Sequence, residues 1–155
     1  MKKLVIALFT IVLFTSCSSH DDSNSAETSI VGSWSLTEMN VAIPVDLNND
    51  GSFNRNLINE IPCIEGTSNF SANNDFSQSF SVITQEEING EIVFGCQGTE
   101  RNEGTYEIVG DQIKFTIEGP EPITETFDYT LNDNTLKIIM PTDDYGTLEM
   151  ISQRD

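Results

Sequence analysis

The chain has 155 residues, with 25 Asp or Glu against 7 Lys or Arg and a formal net charge of −18. A surface this acidic repels nucleic acid and anionic lipid headgroups and draws divalent cations instead, which excludes the polyanion-binding classes. The length suits one domain with a real core and hardly two.

Lys2 and Lys3 open the chain, an eleven-residue apolar run follows from Leu4 to Phe14, and Thr15-Ser16-Cys17 ends the segment. A bilayer-spanning helix needs about 20 apolar residues, so this run is too short to cross. The order of a basic start, an apolar middle and small residues before a thiol resembles a bacterial lipoprotein signal peptide, with Phe14 where leucine is usual. The resemblance implies cleavage before Cys17 and lipidation of Cys17, placing the protein in the cell envelope at the outer membrane, facing the periplasm or the cell surface. Each buried methylene contributes about 0.8 kcal/mol, so one acyl chain holds a protein marginally and two or more hold it firmly. An ordinary secretory signal that happens to end near a cysteine is the alternative, and either reading removes residues 1–16 from the fold.

Residues 17–29 form the next unit. Ser18 to Ser25 contains no apolar residue, so it has nothing to bury and reads as a disordered acidic tether. Asp21 and Asp22 resemble the acidic export signal of surface-displayed lipoproteins of Bacteroidetes-type bacteria; a plain solvated linker is the alternative.

The folded domain is expected over residues 30–155. Its first strand runs from Val31 to Met39 and carries Gly32 and Trp34. Asp46-Leu47-Asn48-Asn49-Asp50-Gly51-Ser52-Phe53 then matches the first half of a calcium loop, with oxygen donors on Asp46, Asn48, Asp50 and Ser52 and a glycine for the sharp turn. Leu57 stands where the bidentate carboxylate belongs. Asn56 or Glu60 could substitute, the latter on a short helix expected from Asn54 to Ile61. The other reading is an ordinary Asn/Asp/Gly turn.

Beyond residue 64, short alternating segments recur between turn residues, the period-two pattern of half-buried strands. Phe70 and Phe76 flank Asn73-Asn74-Asp75, and Phe80 and Val82 continue the inward face. Glu86 and Glu87 read as turn residues, and Ile92, Phe94 and Cys96 as a further strand. Gly104 to Glu118 is the clearest hairpin, with Tyr106, Ile108, Ile113, Phe115 and Ile117 on one face and Gly110-Asp111 at the turn. Phe127, Tyr129 and Leu131, then Leu136, Ile138 and Met140, then Leu148 and Met150, complete the set. Eight or nine strands with tight antiparallel turns predict an all-β fold, a small up-and-down antiparallel barrel with one short helix after the first strand. A β-sandwich is the alternative.

With Cys17 assigned to lipid, Cys63 and Cys96 have one possible pairing in an oxidising compartment; two separate buried thiols are the other reading. Enzyme chemistry lacks its parts. His20 is the only histidine and lies in the tether, and Lys114 and Lys137 alternate with inward apolar residues and so face solvent. Glu125 shares a face with Phe127 and Tyr129, where a carboxylate could act as acid or base, or could sit solvated at a strand end.

Gly32-Ser33-Trp34, Asn69-Phe70 to Phe76, Gly104-Thr105-Tyr106, Gly110-Asp111 and Thr135-Leu136, in this order and spacing, resemble the lipocalin-like domain of Bacteroidetes lipoproteins. The resemblance covers roughly residues 30–152 and implies a barrel of about eight strands with a closed apolar end near the Gly-x-Trp segment. Similar proteins often carry a cysteine pair where Cys63 and Cys96 stand. The aromatic inward set of Trp34, Phe70, Phe80, Phe94, Tyr106, Phe115, Phe127 and Tyr129 either lines a pocket for a small hydrophobic ligand or simply fills the barrel. The functional expectation is a monomeric, lipid-anchored, non-enzymatic carrier or sensor of such a ligand, without nucleic-acid partners and with calcium as its one candidate cofactor. The alternative is an envelope interaction module with a solid barrel and a calcium-ordered loop.

Overall fold

The computed structural model describes residues 29–142 and 146–155. Cys17, the signal segment, residues 17–28 of the tether and the acidic pair Asp143-Asp144 lie outside them. Nine strands and one helical turn follow in chain order: β1 (Gly32–Val45), β2 (Asn54–Asn56), α1 (Leu57–Glu60), β3 (Gly66–Phe70), β4 (Asp75–Ile88), β5 (Glu91–Val109), β6 (Gln112–Ile117), β7 (Ile123–Asn132), β8 (Thr135–Thr142) and β9 (Gly146–Arg154). Each strand from β3 onward pairs with the next, β1 pairs with β3, and β1 also pairs with β9, so eight antiparallel strands close into a barrel. β2 is appended outside, against the far half of β1.

The turns explain the meander. Asn89 and Gly90 both sit at positive φ (56° and 88°) between β4 and β5, as a two-residue hairpin of the primed type requires. Glu86 and Glu87, expected in a turn, instead pair with Val93 and Ile92 inside this hairpin. The turn is made where the chain offers Asn-Gly.

The segment expected as a helix from Asn54 to Ile61 is divided. Its first three residues pair with β1, because the Asn56 side chain accepts from the Met39 amide at 3.1 Å while also capping Ile58 N at 3.1 Å. One helical turn remains, ending at Ile61 before Pro62. The first strand runs past Met39 to Val45, and an irregularity between Leu36 and Glu38 resets its inward face to Met39 and Val41.

Inside the barrel, Ile30, Trp34, Phe70, Phe76, Tyr106, Ile113, Phe115 and Leu136 form one buried cluster. Trp34 is fully buried and its Nε1 donates to the Ile30 carbonyl at 2.8 Å. Arg154 lies 4.3 Å from the centre of the Trp34 ring and donates through Nη1 to the Val31 carbonyl at 2.6 Å and through Nη2 to that of Ser29. The last residues of the barrel thus seal the end where β1 begins. Cys63 and Cys96 are disulfide-bonded with Cα atoms 5.9 Å apart, tying the segment before β3 to β5.

Candidate ligand cavity

The aromatic cluster fills only one half of the barrel. Between β1, β3, β4, β6, β7, β8 and β9, on the side away from Trp34, lies a partly open cavity of about 250 Å³. Pairing register shows why these side chains meet. Ser68 is opposite Gln78, Phe115 opposite Glu125, Leu136 opposite Ser152, and Ile138 opposite Met150, so each pair projects from one face of the sheet. That face points inward, because Phe115 and Leu136 are buried.

The walls are mostly apolar: Phe70, Phe80, Phe115, Phe127, Ile117, Leu136 and Ile138, with Met39, Met140 and Met150 as adaptable contacts. Phe80 is admitted by Gly66 directly opposite, since an added Cβ there would meet its ring. Ser68, Gln78 and Ser152 add neutral polar groups, and Glu65 and Glu125 are the ionisable residues of the lining. At the mouth, Ser81 Oγ accepts from the Glu65 amide at 2.9 Å and donates to the Cys63 carbonyl at 2.9 Å, so the disulfide segment is stitched to β4 beside the opening.

The sequence profile of the lipocalin-like domain family matches residues 30–138. The chain belongs to that family. Solved structures that this lipocalin-like chain resembles include a lipocalin-like protein from Bacteroides uniformis ATCC 8492, 16% identical over 81% of this chain and 97% of that one, with a TM-score of 0.44. Another is a mutant of the fluorescent protein UnaG, 10% identical over 81% and 95% of the two chains, with a TM-score of 0.36. No curated protein matches.

Within the lipocalin-like domain the eight expected pocket residues separate into two groups. Phe70, Phe80, Phe115 and Phe127 line the cavity. Trp34, Phe94, Tyr106 and Tyr129 do not. Trp34 and Tyr106 belong to the packed half, and Tyr106 donates from its hydroxyl to the Ser71 carbonyl at 3.0 Å. Tyr129 packs against the same cluster at the closed end. Phe94 pairs with Gln85 on the part of the β4–β5 hairpin that extends past the barrel. A pairing irregularity between Ser81 and Ile83 ends the inward alternation there, which also leaves Val82 38% exposed instead of inward. Ile64, Ser68, Gln78 and Ser152 were not foreseen as lining residues. Arg154 was not foreseen at the closed end.

In the Asp46–Ser52 loop, Asp46 accepts the amides of Asp50 and Gly51 at 3.1 and 3.0 Å, and Asn48 accepts that of Asp50 at 3.0 Å. Asp50 accepts the Ser52 amide at 2.7 Å, and this bond chiefly holds the Asp50 carboxyl below its ordinary value, against a smaller opposing effect of burial. Beneath the loop Glu60 is 3% exposed, and its Oε2 accepts Leu47 N at 2.9 Å and Asn48 N at 3.4 Å. Its Oε1 is buried without a hydrogen-bond partner. No group of three His, Cys, Asp or Glu side chains among the described residues is arranged to hold a metal ion.

Proposed function

We propose that this lipocalin-like protein is a lipid-anchored extracytoplasmic binding protein that carries or senses a small hydrophobic ligand. The observation that carries the reading is the half-hollow barrel: about 250 Å³ bounded by four phenylalanines, three methionines and aliphatic side chains, above a floor of close-packed aromatics. A barrel built only for stability would pack that space with its own side chains, since apolar surface left facing water forfeits roughly 25 cal/mol per Å². The anchoring half of the reading rests on Lys2 to Cys17 in the sequence. Binding rather than catalysis is supported by a sequence whose single histidine is His20 and by a register that turns one cavity carboxylate, Glu125, inward.

Two measurements test it. Native mass spectrometry of the purified protein, before and after organic extraction, should reveal a bound or exchangeable apolar molecule; a protein that releases none and takes up no neutral apolar probe would overturn the ligand reading. Metabolic labelling with palmitate should mark the chain and fail on Cys17→Ser, and an unlabelled wild type would overturn the anchor.

A second reading is favoured by the orphaned Oε1 of Glu60. A buried carboxylate oxygen without a partner costs roughly 1–3 kcal/mol, and a hard divalent cation is the partner that such an atom suits. We propose that calcium orders the Asp46–Ser52 loop, gathered by Asp46, Asn48, Asp50 and Ser52 with Glu60. As three carboxylates do not already converge, the donor set would be mixed and the affinity modest. Calorimetry with millimolar calcium should give heat that Asp46→Ala with Asp50→Ala removes and Glu60→Gln weakens; an absence of heat sinks the reading.

A further inference from the structure

The charges around the cavity are arranged asymmetrically, and the asymmetry bears on what kind of ligand end can enter. Resting on the binding reading above, we propose that the cavity takes an apolar body bearing an amine and discriminates against the matching carboxylate. Three observations converge on this preference.

Glu125 stands opposite Phe115 in the β6–β7 register and between Phe127 and Ile123 along its own strand, so its carboxylate issues from the cavity wall. It is exposed enough to stay hydrated when no ligand is bound. Glu65 beside the opening is the other ionisable residue of the lining, and Glu100 is opposite Phe80 on β5, so the further charges near the cavity are also negative.

Among the described residues no basic side chain is available to oppose them. Arg101 pairs with Glu103 at 2.7 Å, Lys114 with Glu107 at 3.4 Å and Lys137 with Glu149 at 3.6 Å, all on the outer face. Arg55 borders a surface depression with Asn40 and Ala42, and Arg154 is committed to Trp34 at the closed end. A ligand carboxylate entering this barrel would lose its water beside Glu125 and find no cation. An ammonium would find a carboxylate at the mouth and the oxygens of Ser68, Gln78 and Ser152 along the wall.

The test is competition against the neutral fluorophore N-phenyl-1-naphthylamine on the purified protein at neutral pH, with decylamine, decanol and decanoate as matched competitors. Decylamine should displace the probe at a concentration at least about tenfold below that of decanoate, the scale of one charge-assisted hydrogen bond. Glu125→Gln should collapse that ratio. Glu121→Gln, which removes an equal charge from the exposed β6–β7 turn, should leave it intact and so separates a local carboxylate from the overall field of an acidic protein. Equal competition by amine and carboxylate, or a ratio that survives Glu125→Gln, overturns the preference while displacement by decanol still upholds the apolar cavity. Failure of the probe to bind overturns the binding reading, and the preference with it.

Discussion

Phe70 meets Tyr106 edge-on, with ring centroids 5.1 Å apart and planes at 85°. This contact marks the boundary between the two halves of the barrel. Phe70 contributes to the cavity wall, whereas Tyr106 lies in the packed floor with Trp34, Phe76 and Ile113. Phe115 extends the boundary, 4.8 Å from Phe76 on one side and 6.2 Å from Phe127 on the other. The same aromatic residue type therefore does two jobs along one inner face, closing the barrel at one end and bounding a hollow at the other.

The floor depends on the clasp between Arg154 and Trp34. Arg154→Met keeps the apolar stem and removes both the charge over the indole and the hydrogen bonds to Ser29 and Val31. Urea denaturation should show a loss of about 1–3 kcal/mol. Affinity for a neutral apolar probe under native conditions should stay within about twofold of wild type, because the clasp lies beneath the packed cluster. An unchanged urea midpoint would mean that the clasp adds nothing net.

The Cys63–Cys96 bond closes a segment with a sequence separation of 33 and holds Ile64 and Glu65 at the cavity mouth. Cys63→Ser with Cys96→Ser should lower stability by up to about 3–4 kcal/mol on the chain-entropy account. It should also raise hydrogen exchange at the Glu65 and Ser81 amides, whose bonds flank the bridge. Protection of those two amides unchanged in the double variant would show that the Ser81 network holds the mouth unaided.

Burial raises the Tyr106 phenol above its ordinary value of 10.0. A raised folded-state value favours the neutral form, so this contribution is complete below the unfolded value and is lost as the pH climbs through the folded one. Melting temperature should fall as the pH rises through and beyond the ordinary phenol value of 10.0, and Tyr106→Phe should flatten that fall. The variant also loses the hydrogen bond to Ser71, which lowers its stability by about 1 kcal/mol at neutral pH. An alkaline limb as steep in Tyr106→Phe as in wild type would place the titration elsewhere.

How much of this was legible in the sequence follows from the physics of each element. Strands β5 to β9 alternate apolar and polar residues between Gly-Asp and Asn-Asp turns, and a period of two can be read without tertiary information. The closed end near Gly32 and Trp34 came from the resemblance to the lipocalin-like domain, since no local period marks one end of a barrel as sealed. What escaped is what depends on partners distant in sequence. Asn54 to Asn56 has an apolar spacing into Leu57 and Ile58 that suits a helix, yet β1 offers it a free edge and Asn56 bonds across to Met39. Phe94 looks inward by alternation, but the irregularity after Ser81 breaks the parity. The division between Phe70 and Tyr106 could not be read at all, because alternation gives the face of a residue and not its depth along the barrel.

The central claim is that the upper half of the barrel is a binding cavity. Ser152 faces it from β9, opposite Leu136, and a phenylalanine at that position would project into the empty space at a cost of no more than about 1–3 kcal/mol. Titration of wild type and Ser152→Phe with N-phenyl-1-naphthylamine, alongside thermal melts to establish that both are folded, is the most direct measurement. Saturable binding at one site in wild type, weakened at least about tenfold in the folded variant, is the predicted result. Equal binding by both proteins, or none by either, would contradict it.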